Sequence, residues 1–158
     1  MYPESYEPNP LYPRSEDFEV VRKDDQTGLG VISHKGFKTG DIVAAMNGER
    51  IQDIRQHSLQ IEPGIHLYDI HFAGYFLHSC APNVFLDMEK MLVIATRRIK
   101  PGDYLLMDYA QTEDHLFKQF ACGCGAKNCR GWITGKKDLI DEEDPAYQQF
   151  ISAQVMAV

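Results

Sequence analysis

With 158 residues, 44% of them apolar and 25% charged, the chain has the length and balance of one globular domain with a single core. A net charge of −7 argues against a nucleic-acid surface and suits a basic partner. The longest apolar run, Met91 to Ala95, is far too short for a bilayer, and no secretory signal opens the chain, so an intracellular, cytoplasmic setting is expected.

Residues 1–17 carry Pro3, Pro8, Pro10 and Pro13 among Tyr2, Tyr6 and Tyr12, which predicts an extended arm rather than a helix. Short strand-type runs follow at Phe18 to Arg22, Leu29 to Ser33 and Asp41 to Met46. Val84 to Met88 and Met91 to Thr96 flank Glu89-Lys90 and read as a hairpin. Pro101-Gly102 marks a turn before a strand from Tyr104 to Met107, and Asp114 to Phe120 reads as one short helix. Asp144-Pro145 supplies an N-cap with proline at the first helical position, and Tyr147, Phe150, Ile151 and Val155 fall on one face of the helix that follows. The chain is mostly β with short strands.

The four cysteines carry the clearest chemistry. Three lie in Cys122-Gly-Cys-Gly-Ala-Lys-Asn-Cys129, and the fourth, Cys80, lies in Leu77-His-Ser-Cys-Ala-Pro-Asn83. Disulfides fit badly, because Cys122 and Cys124 are too close to pair without strain. Four thiolates complete one tetrahedral zinc shell and leave no open position, which points to a structural ion. Gly123 and Gly125 are expected to adopt positive φ so that the backbone wraps the metal.

The same residues resemble a known family. Phe120 to Trp132 resembles the post-SET segment of SET-domain protein lysine methyltransferases, and Leu77 to Asn83 resembles their "NHSCxPN" motif. Lys100-Pro-Gly-Asp-Tyr-Leu-Leu-Met-Asp-Tyr109 is similar to their "KGEELTFDY" segment. Thr27 to Ile32 resembles their "GLGVFA" turn, and Asn47 to Ile51 their "GE-x-I" strand. The five pieces stand in the family's order over roughly residues 18 to 133.

The resemblance implies the SET fold, a β-clip of small curled sheets around a pseudo-knot. Between the arm at 1–17 and a tail at 136–158 with a helix, it implies a SET domain at 18–115 and a zinc-bound post-SET segment at 116–135. It implies S-adenosylmethionine as methyl donor, alongside one structural zinc on Cys80, Cys122, Cys124 and Cys129. Tyr109 matches the family's last tyrosine, whose hydroxyl stands where the amine and the methyl donor meet; Asp108 beside it is given no catalytic role. Gly28, Leu29, Gly30, Leu77, His78 and Trp132 match cofactor-binding positions, and Met107, Tyr75 and Phe85 are assigned to the substrate channel.

The implied chemistry is methylation of a lysine amine in a protein or peptide. Free lysine has a pKa near 10.4, so an apolar, aromatic channel is needed to favour the neutral amine. Three departures from the pattern bear on substrate and cofactor. Leu77 replaces the family's Asn, the usual upstream Arg is missing from Phe72-Ala-Gly-Tyr-Phe-Leu77, and Met107 replaces Phe or Tyr. The segment between Arg50 and Asp69, which forms much of the peptide groove in the family, is short. Methylation of a small amine in a biosynthetic step, or a catalytically silent binding module, are the alternatives.

Overall fold

The computed structural model describes residues 1–158. Twelve short strands form five small sheets. β1 (Phe18–Asp24) and β2 (Gly28–Ser33) pair antiparallel, with Val20 opposite Val31 and a register shift between Arg22 and Asp24. The turn between them is built by Asp24, whose carboxylate accepts from Gln26 N at 3.0 Å and from Thr27 Oγ1 at 2.9 Å. β3 (Ile42–Ala45), β8 (Val84–Asp87) and β9 (Leu92–Ala95) form a sheet in the order β3-β9-β8. The hairpin expected around Glu89-Lys90 is therefore present.

A second three-stranded sheet runs β4 (Glu49–Ile51), β6 (Ile65–Tyr68), β5 (Ser58–Glu62). A two-residue parallel pair packs against β2 and β8: β7 (Leu77–His78) sets Leu77 beside Leu106 and His78 beside Met107 of β10 (Leu106–Met107). β11 (Phe120–Ala121) and β12 (Trp132–Ile133) make the last pair. Two helices complete the chain, the single turn α1 (Tyr109–Thr112) and the C-terminal α2 (Pro145–Met156). No helix is long and apolar enough to cross a membrane.

The core is where these edges meet. Val31, Phe72, Val93 and Leu105 are fully buried. Phe72 packs edge-on against Phe18 at 5.1 Å and Phe76 at 5.0 Å between ring centres. Full burial of such a side chain stabilises the fold by about 1.5–3 kcal/mol.

The N-terminal arm is not helical, as its prolines require, but it is not extended either: turns closed by Tyr6 N on Pro3 O and Tyr12 N on Asn9 O, both at 3.1 Å, fold it onto the body. The Tyr2 hydroxyl donates to Asp69 Oδ2 at 2.7 Å and accepts from Asn47 N at 3.0 Å. Asp69 is wholly buried and also takes the backbone N–H groups of His71, Phe72 and Ala73 at 2.8–3.0 Å. One tyrosine thus clamps the turn that leads into β7.

Three local expectations are corrected. Residues 114–120 form no helix, because their backbone groups are taken from outside the segment. Asp138 accepts from Leu116 N at 2.9 Å, and the carbonyls of Glu113 and Asp114 accept from Lys136 and Lys137 N at 2.9 and 2.8 Å. The strand expected from Tyr104 is reduced to Leu106–Met107, with Tyr104 joined to Ile32 by one bridge. The helix at Asp144-Pro145 forms, capped by Asp144 Oδ1 on Ala146 N at 2.7 Å, but only part of its apolar face is used. Tyr147 and Phe150 pack on Trp132, while Val155 remains 69% exposed.

Candidate active site

The β7–β10 pair sets the geometry. Asn83 holds it closed, with Oδ1 accepting from Leu106 N and Nδ2 donating to Tyr104 O, both at 2.8 Å. Ser79 N donates to Met107 O at 2.9 Å. The chain leaves β10 through Asp108, which caps α1, so Tyr109 becomes the first helical residue directly beside β7.

Tyr109 is fixed at both ends. Its N–H donates to His78 Nδ1 at 3.2 Å, and its hydroxyl donates to Phe76 O at 2.8 Å. Burial pushes its phenol up to about 12, so it stays neutral at physiological pH. Its ring meets His78 at 5.2 Å and Phe120 at 5.9 Å, each near edge-to-face. Burial pushes His78 down to about 4, against the nearby Asp108 carboxylate. Since a backbone N–H can only donate, Nδ1 is the bare nitrogen and Nε2 carries the proton. Nε2 lies 3.5 Å from Cys80 Sγ.

The four cysteines converge. Their sulfur atoms all lie within 4.8 Å of one another, and none is in a disulfide. A tetrahedral Zn–S shell with bonds of about 2.3 Å has sulfur–sulfur edges of about 3.8 Å, so this cluster fits zinc with small adjustments. Asn128 Nδ2 donates to Cys80 O at 2.9 Å and ties the two contributing loops together. Of the two glycines expected to wrap the ion, Gly125 has φ +71°, whereas Gly123 is absent from the positive-φ residues. Gly131, at φ +78°, shares the task.

The remaining assigned residues are distributed unevenly. Gly28 has φ +81° and opens β2. The side of Gly30 that a side chain would occupy is filled by Leu77 and Tyr104. Leu29 is 39% exposed. Trp132 is buried beneath α2, its Nε1 donating to Gln119 Oε1 at 3.0 Å. Met107 belongs to the core at 1% exposure. Tyr75 lies 4.5 Å from the ring of His57, whose Nδ1 bonds Gly74 O at 2.9 Å. Phe85 points outward from β8 at 41% exposure, while Val84 and Leu86 turn into the core. Met107, Tyr75 and Phe85 thus occupy a core, an intermediate and an outer environment.

Two features escaped the sequence reading. Phe120 closes an aromatic trio with His78 and Tyr109. Asp108 and Arg130 form a two-point ion pair at 2.6 and 2.8 Å. Burial alone would raise the Asp108 pKa; the Arg130 guanidinium overrides it and holds the carboxylate below its ordinary value. The signal for this pair was an arginine directly after the last cysteine and a carboxylate directly before Tyr109.

The SET domain model matches residues 28–110, more than half of the chain. Methyltransferase flvH of Aspergillus flavus is 34% identical over 84 residues, covering 52% of this chain and 47% of that protein. Histone-lysine N-methyltransferase Set2 of Drosophila melanogaster is 26% identical over 149 residues, covering 78% of this chain and 6% of that protein. Among solved structures, KRYPTONITE in complex with mCHG DNA and SAH aligns with a TM-score of 0.61 at 28% identity, over 73% of this chain and 28% of that one. The chain spans less than half the length of each of these proteins. With its small sheets, its parallel β7–β10 pair and the matched segment, the chain belongs to the SET domain family.

Proposed function

We propose that this chain transfers a methyl group from S-adenosylmethionine to the side-chain amine of lysine in a protein or peptide. The observation that carries the reading is Tyr109, half-buried at the junction of β7, β10 and α1 with its hydroxyl proton committed to Phe76 O at 2.8 Å. A hydroxyl that has donated keeps its lone pairs, so this oxygen faces a substrate only as an acceptor. It can hold an amine N–H and so aim the nitrogen lone pair, while its raised pKa keeps it protonated, so that no phenolate is available at neutral pH to act as a base.

The bound donor supplies an electrophilic methyl on a sulfonium sulfur. What the chain contributes is placement and dryness. Phe120, His78 and Tyr109 form a ring-lined wall that favours the neutral amine. His78, kept neutral by burial, adds no positive charge beside a cationic ligand. The turn at Gly28 and Gly30 and the segment Leu77–His78, whose Leu77 side chain lies against Gly30, are the residues proposed to hold the donor. The SAH in the KRYPTONITE structure supports S-adenosylmethionine as the donor. Support for a protein substrate comes from the histone-lysine methyltransferases among the relatives.

A second reading, transfer to a small amine, rests on the short connection between β4 and β5 and on the likeness to methyltransferase flvH, whose name specifies no lysine or protein substrate. Incubation of the purified chain with methyl-labelled donor and a cell lysate separates the two. Label in the protein fraction supports the first, and label confined to small molecules supports the second. Binding of S-adenosylhomocysteine by calorimetry with label in neither fraction would overturn both.

A further inference from the structure

The cysteine centre and Tyr109 are joined by a closed ring of contacts. Arg130 follows Cys129, and its backbone N–H donates to Cys80 Sγ at 3.4 Å. Its guanidinium reaches the other way, with Nη1 and Nη2 donating to the two carboxylate oxygens of Asp108 at 2.8 and 2.6 Å. Asp108 caps α1 by accepting from Ala110 N at 3.1 Å, and the next residue is Tyr109. Tyr109 N donates to His78 Nδ1, and His78 Nε2–H faces Cys80 Sγ at 3.5 Å. The ring closes on the sulfur where it began.

We propose that Arg130 is a positioning residue: through the Asp108 cap it fixes Tyr109 relative to the four-cysteine centre. α1 is a single turn of four residues, too short to hold its shape by its own hydrogen bonds. Its geometry comes from its cap, and the cap's orientation comes from the guanidinium fork. Two parallel N–H···O bonds fix an angle as well as a distance, which a lysine ammonium cannot do. The Arg130 and Asp108 side chains are 41% and 24% exposed, so the pair adds little to global stability. What it sets is direction. On this account the cysteine centre acts on the reaction without touching substrate, by holding the anchor from which Tyr109 is aimed.

The kinetic part of the test rests on the methyl-transfer reading; the structural part does not. Three zinc-loaded variants of the 158-residue chain serve: Arg130→Ala, Arg130→Lys and Asp108→Asn, the last keeping the cap oxygen and losing the charge pair. All should retain about one zinc per chain by elemental analysis and melt close to the unaltered protein. Amide hydrogen exchange at Tyr109, Ala110 and Gln111 should quicken about tenfold, with β1 and β2 unchanged. kcat should fall about tenfold while KM for the donor moves less, and Arg130→Lys should restore little. Should Arg130→Ala fail to fold, Asp108→Asn carries the test. Unchanged exchange at the three amides, unchanged kcat, or loss of zinc from the variants would each overturn the proposal. If the unaltered protein transfers no methyl, the failure belongs to the functional reading, and the exchange data alone decide whether Arg130 orders α1.

Discussion

Leu77 is packed directly against Gly30: a Cβ built on Gly30 would come within 2.8 Å of Leu77 Cδ1 and 3.0 Å of Tyr104 Cδ1. The space beside this glycine is filled by the chain's own side chains. A branched residue there meets protein before it meets any ligand. Gly30→Val is therefore expected to destabilise the fold by about 1–3 kcal/mol through overpacking. Leu77→Ala in the same chain should recover part of that loss. Thermal melts of both single variants and the double variant measure the coupling, and strict additivity would separate the two residues.

Tyr109→Phe removes one hydroxyl with almost no change of volume. Turnover with labelled donor should fall by about a hundredfold, as for other positioned polar groups in a transition state. Phe76 O also loses its donor, so a stability loss of about 1–2 kcal/mol should accompany it. Normal turnover with the expected loss of stability would reduce the hydroxyl to a structural role.

The cysteine cluster should hold about one zinc per chain, measurable by elemental analysis. Cys124→Ser should release it and loosen β11 and β12. Trp132 is the single tryptophan and is buried under Tyr147 and Phe150, so its fluorescence reports this region alone. Metal removal should shift that emission to the red. An unshifted spectrum after verified metal loss would show that α2, rather than the ion, seats the hairpin.

His66 on β6 is 4% exposed, and its Nδ1 has no partner. Burial holds its pKa below the ordinary 6.5. The unfolded chain takes up this proton near pH 6.5 while the folded chain does so only at lower pH. Stability from this group is thus complete above 6.5 and is lost as pH falls toward the folded value. His66→Gln should flatten the decline in urea-melt stability as pH falls below 6.5. His78, held at about 4, contributes a decline of the same sign that persists in the variant. Equal slopes in both proteins would exclude His66 as a source.

Much of the site was legible because its residues come in tight local groups. Three cysteines within one short segment, with Cys80 beside His78, announced a metal centre before any fold was known. The hairpin across Glu89-Lys90 and the helix after Asp144-Pro145 were readable because turn and cap chemistry is local. The hairpin β5–β6 was also readable and was passed over: Pro63-Gly64 separates it into alternating halves.

Other features had no local signal. Two residues cannot display a strand period, so the β7–β10 pair was invisible except through family resemblance. The Tyr2–Asp69 bond joins positions 67 residues apart, and nothing near Tyr2 marks its partner. Residues 114–120 have helical composition, yet distant Asp138 and the Lys136–Lys137 backbone claim their hydrogen-bonding groups. Facing of side chains was the weakest inference: Phe85 and Leu86 are neighbours in sequence, and only the register of β8 decides which one turns inward.

The parallel β7–β10 pair also governs when this molecule becomes competent as it folds. Its two partners come from distant parts of the chain, and bringing such ends together costs roughly 3 kcal/mol of entropy for a loop of about 30 residues. Two residues of pairing cannot repay that alone; the surrounding sheets must form first. The hairpins β1–β2, β8–β9 and β5–β6 are local and can precede it, whereas the seat of Tyr109 must wait. During synthesis, β10 emerges after the strands of both three-stranded sheets, so the seat of Tyr109 is laid on sheets already able to form, and the cysteine segment that braces it arrives later still.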